Sequence, residues 1–223
     1  MSEVKVSSEE NFKPEKPSLL GMVFSPGEQL ERVKGNPKVL VPLLLVTLLY
    51  TIGAAITAFG MDSTWILQEL GPDEAQFFAE IEGFMRVMIL VTGLLVPLIG
   101  ALIFAVVFLI VAKAAGKANV TFKKLYSLSL FVSVIGGLGF LFNGIMTTVF
   151  GANPNTPFTS LAVLMQAEGK LAIVLATIEV FTIWQIIVTV LGVRKVAEFN
   201  AGLAWASVII YTVIGIFISL IGV

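Results

Sequence analysis

Hydrophobic and polar positions alternate along this chain in long blocks rather than at short period. Five apolar runs, about residues 39–58, 87–112, 125–150, 171–191 and 202–222, are separated by polar segments. A run of about twenty apolar residues crosses a bilayer as a helix, at roughly 1.5 Å rise per residue. The pattern therefore predicts an all-α integral membrane protein, a bundle of five transmembrane helices. Residues 1–37 form a polar tail ending in a short juxtamembrane helix, and residues 38–223 form one membrane domain. In the tail, Ser25, Pro26 and Glu28 read as a helix start, with an N-cap hydroxyl, Pro at the first helical position and Glu three residues after the cap. Gly35 and Pro37 read as its stop, giving a helix from about Pro26 to Lys34 that rests on the headgroups, with a docking site for a partner as the alternative. A further amphipathic element opens at Pro72-Asp73-Glu74, after an acidic segment that includes Asp62 and Glu69, and leads into the second span. Residues 151–170, with two prolines, read as a short loop between the third and fourth spans.

Composition sharpens this picture in one respect: 57% of residues are hydrophobic and 13% charged. Soluble domains carry about 25% charged residues, so this chain belongs in a membrane. The apolar runs start too late, and are too long, for a cleavable signal peptide. Charge sets the orientation. Twelve of the fourteen basic residues, among them Lys34, Lys38, Lys113, Lys117, Lys123, Lys124, Arg194 and Lys195, fall on one side of the five spans. Only Arg86 and Lys170 fall on the other. Basic flanks stay cytoplasmic, so the N-terminus is expected inside and the C-terminus outside.

The candidate chemistry is sparse. There is no Cys and no His, which excludes disulfides, thiolate nucleophiles, Fe–S clusters, the usual zinc sites and His-based triads. No Walker, Gly-x-Ser-x-Gly or His-Glu-x-x-His element occurs, and the acidic segment has no EF-hand spacing. No enzyme activity, cofactor, metal site or nucleic-acid partner is expected. One group stands out. Glu179 lies in the fourth apolar run, with Thr182, Gln185 and Thr189 on the same helical face. An ionised carboxylate in hydrocarbon costs several kcal/mol, so it must be paired, protonated or hydrated. It is either a proton or cation site, as in a small transporter or channel, or a hydrogen-bonded lock between helices, with Asn143 of the third span as the partner. Stripes of small residues, Ser129/Ser133/Gly137, Gly202/Ala206 and Gly215/Ser219, favour close helix packing.

The order of several short motifs resembles the Yip family, membrane proteins that interact with Ypt/Rab GTPases and that also occur widely in bacteria. Phe24-Ser25-Pro26 with Gly35-Asn36-Pro37 is similar to the family's N-terminal signature. Thr121-Phe122-Lys123-Lys124 is similar to the motif that opens its third span, and Phe181 with Trp184 to the aromatic pair of its fourth. Gly192 followed by Arg194-Lys195 and a fifth apolar run completes the order. The resemblance covers about residues 24–223 and implies a five-helix membrane protein without catalytic residues. In eukaryotic members it implies vesicle trafficking. Among bacterial members the likeness is to a type associated with an ABC-type exporter, comprising an ATPase, a permease and a membrane-fusion-like subunit, and with protection against a secreted toxin. It thus implies an accessory subunit whose partners are membrane lipid and the exporter's permease and ATPase.

Overall fold

In the computed structural model, which describes residues 15–60, 71–150 and 156–221, the described residues form nine helices. They are α1 Gly21–Phe24, α2 Pro26–Gly35, α3 Leu40–Gly60, α4 Pro72–Ala114, α5 Phe122–Phe150, α6 Leu161–Leu164, α7 Gly169–Ala176, α8 Val180–Val196 and α9 Ala201–Ile221. The acidic positions Asp62 and Glu69, the tail up to residue 14 and the side chain of Ser219 lie outside the described residues. Four helices, α3, α4, α5 and α9, are long and apolar enough to cross a membrane.

Helix α5 is the axis of the bundle. Two-thirds of its most apolar stretch is buried, and α3, α4 and α8 pack on it. Its glycines explain why. A Cβ at Gly137 would come within 2.7 Å of Leu49, and one at Gly139 within 2.7 Å of Phe181. Without those carbons, the Leu49 and Phe181 side chains of α3 and α8 lie directly on the α5 backbone, the close approach that small residues allow where lipid supplies no hydrophobic drive. The small positions of α9 behave differently. A Cβ on Gly215 would meet nothing, and one on Gly202 would meet only Asn200, at 3.6 Å. Helix α9 is instead held at its α8 end and by Tyr211, whose ring stands edge-on to Phe104 and Phe108 of α4 at 5.7 and 5.6 Å.

Two expectations are corrected. First, the fourth apolar run, 171–191, is not one helix. It divides at Thr177–Glu179 into α7 and α8, because the Glu179 carboxylate takes the amides at the start of α8 as partners and so ends the helix before it. The preceding loop is also structured: Leu161 N donates to Ile178 O at 2.9 Å and Ser160 bridges Glu179, folding α6 back against α7. Second, Ser25 does not cap α2 with its side chain. Its hydroxyl donates back to Gly21 O at 3.3 Å, and Glu28 pairs with Arg32 at 2.5 Å. Helices α1 and α2 are also packed onto the bundle. Met22, Leu30 and Val33 are fully buried in the main core, and α2 packs on α8 and α5. Lys195 Nζ ties them, donating to Gly27 O at 3.1 Å and pairing with Glu31 at 2.8 Å.

The 43-residue α4 is about 64 Å long, twice the hydrocarbon thickness. Its acidic start, Asp73 and Glu74, must therefore stand clear of the lipid core.

Candidate functional site

Glu179 is the N-cap of α8, in extended backbone conformation, and is 6% exposed. Each carboxylate oxygen meets two donors. Oε2 accepts from the Thr182 amide at 2.7 Å and the Thr182 hydroxyl at 3.0 Å. Oε1 accepts from the Thr159 hydroxyl at 2.7 Å and from Asn143 Nδ2 at 3.3 Å. The carboxyl group therefore sits on the first turn of α8, where unpaired amides and the helix dipole favour an anion. Among the described residues no Lys or Arg pairs with it.

Asn143 completes the arrangement. Its Nδ2 also donates to Gly139 O at 2.9 Å, one turn back on α5, and its Oδ1 accepts from the Thr159 amide at 3.3 Å. One carboxylate and one carboxamide thus join α5, the segment before α6, and the start of α8. Such a network is rigid when every member is satisfied.

Thr182, Gln185 and Thr189 follow on one face of α8, as their spacing requires. Thr182 belongs to the Glu179 network, and the Thr189 hydroxyl returns to Gln185 O at 2.7 Å. The Gln185 amide stands apart. It lines a cavity of about 300 Å³ that holds Glu179, Asn143, Thr57 and Thr147, and also a second one of about 750 Å³ between α4, α5, α8 and α9. Tyr50 of α3 borders both.

Of the remaining motif residues, those of α2 and of the start of α5 lie toward the opposite end of α8 from Glu179, whereas Phe181 and Trp184 lie in its first turns. Pro26 opens α2, Asn36 caps its end and Pro37 leads out of it. Phe24 is 85% exposed and Leu20, one turn before it, 75%. Phe122 stacks on Tyr126 at the start of α5, with Lys123 exposed beside it. Phe181 tilts against Phe142 at 5.7 Å and Trp184 at 6.4 Å, fixing the pairing of α8 with α5. Thr159 and Tyr50 were not singled out by sequence. With no basic residue in any apolar run, the hydroxyl pair Thr159-Ser160 was the available signal for donors to Glu179.

Residues 20–223 match the Yip1 domain, nearly the whole membrane part of the chain. The chain belongs to the Yip1 family. It is 35% identical over 214 residues to Membrane protein YknW of Bacillus subtilis (strain 168), an alignment covering 93% of this chain and 90% of that protein. No solved structure matches it. As a Yip1-family chain with several apolar helices, it is an integral membrane protein, with a bacterial cell membrane as its setting.

Proposed function

We propose that this Yip1-family chain is a non-enzymatic membrane scaffold, an accessory subunit that assembles with an ABC-type exporter system and serves in protection against a secreted toxin. In this reading five spans cross the bilayer, α7 and α8 together making the fourth, with the N-terminus cytoplasmic and the C-terminus outside. The distribution of Lys and Arg supports that orientation.

The observation that carries the reading is the platform built by α1 and α2. Its inner face is part of the core through Met22, Leu30 and Val33, while Leu20 and Phe24 project from it. A rigid mount with two projecting apolar side chains is the form that a partner-binding anchor takes. The exporter enters through the likeness to the bacterial type described above. ATP hydrolysis would then belong to a partner, since this sequence has no Walker motif. Transport through Glu179 has less support, because its four donors are all protein groups and leave no vacant coordination for an ion.

Co-purification from native membranes in mild detergent, with mass spectrometry of the partners, tests the proposal. An ABC permease and its ATPase are expected with the wild type. They should be lost with Phe24→Glu and retained with Glu179→Gln. Recovery of a GTPase instead, or of the chain alone, would overturn the exporter reading.

A further inference from the structure

The larger cavity has an unusual division of character. Its walls, from α4 and α9, are apolar and include Gly100, Phe104, Ala206 and Gly215. At its inner wall stand the Gln185 carboxamide and the Tyr50 hydroxyl. A Cβ on Gly136, which lines the smaller cavity, would lie 2.6 Å from Tyr50 Oη and 2.7 Å from Gln185 Oε1, so both polar ends converge on the wall that the two cavities share. The described residues provide neither of them with a hydrogen-bond partner, although amides and hydroxyls inside a membrane domain cost free energy until they find one. The volume of about 750 Å³ lies within the range of about 300–1,000 Å³ usual for small-molecule sites.

We propose that this cleft binds a single-chain amphiphile with an uncharged, hydroxyl-bearing head, of the long-chain alcohol or glycerol monoester class. The chain lies between α4 and α9, and the head hydrogen-bonds Gln185 and Tyr50. An uncharged head follows from the surroundings. Gln185 and Tyr50 are both neutral, and each can donate and accept. An anionic head would find no Lys or Arg lining either space and would approach the Glu179 carboxyl group in the adjoining cavity. A cationic head would find that carboxylate already taken by four donors. A partner helix is the poorer occupant, because its outward side chains cannot reach a polar pair at the inner wall while its backbone stays outside. The site goes beyond the scaffold proposal and does not depend on it.

The test uses the full-length protein in nanodiscs, with a glycerol monoester carrying a diazirine in its acyl chain as the probe. Photolabelling is expected on residues of α4 and α9 that face the cleft, and unlabelled monoester should compete it away. Gln185→Leu should weaken labelling about tenfold, the effect of losing one or two hydrogen bonds. Gly100→Phe fills the cleft from a position where an added carbon meets nothing, and should abolish labelling with the thermal midpoint unchanged. Equal labelling of the outward face of α3 at Leu44 and Leu48, or labelling that Gly100→Phe leaves intact in folded protein, would overturn the proposal.

Discussion

At Glu179, burial and hydrogen bonding decide what a carboxylate in an apolar run becomes. Removing it with Glu179→Ala deletes an N-cap and strands the Thr159 hydroxyl and Asn143 amide, at a combined cost of about 2–4 kcal/mol. Glu179→Gln keeps an acceptor and the cap, so about 1 kcal/mol is expected. Thermal unfolding in detergent should rank the two in that order; equal midpoints would mean the network is not cooperative. The neighbouring Ser160 is a control. Among the described residues its buried hydroxyl has no partner, so Ser160→Ala should be neutral or slightly stabilising, whereas Thr159→Val should destabilise. The sequence identified Glu179 as exceptional and put Thr182 and Gln185 on its face, because helical periodicity is a local property. It did not place the break in the helix. That break depends on Thr159, twenty residues earlier, which hydrophobicity alone could not bring to Glu179.

At the scale of elements, close approach explains which glycines matter. Gly93 of α4 faces Ala54 and the Tyr50 carbonyl, with 3.0 Å from its would-be Cβ to that backbone oxygen. Backbone cannot step aside, so Gly93→Ala should cost about 1–3 kcal/mol. Gly100, two turns on, has open space, and Gly100→Ala should be neutral or stabilise by up to about 1 kcal/mol through helix propensity. Differential scanning fluorimetry of the two variants would separate packing from propensity. The cap formed by α1 and α2 has its own polar tie, Lys34 Nζ to Glu198 Oε1 at 3.0 Å, where Glu198 adopts a left-handed φ of 56° between α8 and α9. The hydrogen bond and charge of Lys34 hold the Glu198 carboxyl below its usual range. A depressed carboxyl stabilises the fold fully above its ordinary pKa, and that contribution is lost as pH falls through the folded value. Hydrogen exchange in α2 should therefore accelerate below the ordinary carboxylate range in the wild type and show no such step in Glu198→Gln. Short motifs made α2 legible at the sequence level, but its docking was not. Gly192 of α8 leaves room for Leu128 of α5 and Leu30 of α2, 2.5 and 3.3 Å from its would-be Cβ, and no local pattern reports such a contact.

At the scale of the whole molecule, long apolar runs made four of the five expected spans readable, since length and hydropathy alone specify them. The order of motifs made the family readable. The cleft beside α9 was not, because small residues there resemble those that pack helices elsewhere in the chain. The absence of Cys in the sequence makes the orientation directly accessible. Single cysteines at Lys117 and Lys170 should be labelled by a membrane-impermeant maleimide from opposite sides, Lys170 from outside. The central claim is that the α1–α2 platform holds an exporter subunit. It is tested most directly by a photoreactive amino acid at Phe24, irradiated in native membranes. A discrete adduct with an ABC permease or its ATPase is expected, lost when Leu20 is replaced by Glu. Adducts with lipid alone would contradict it.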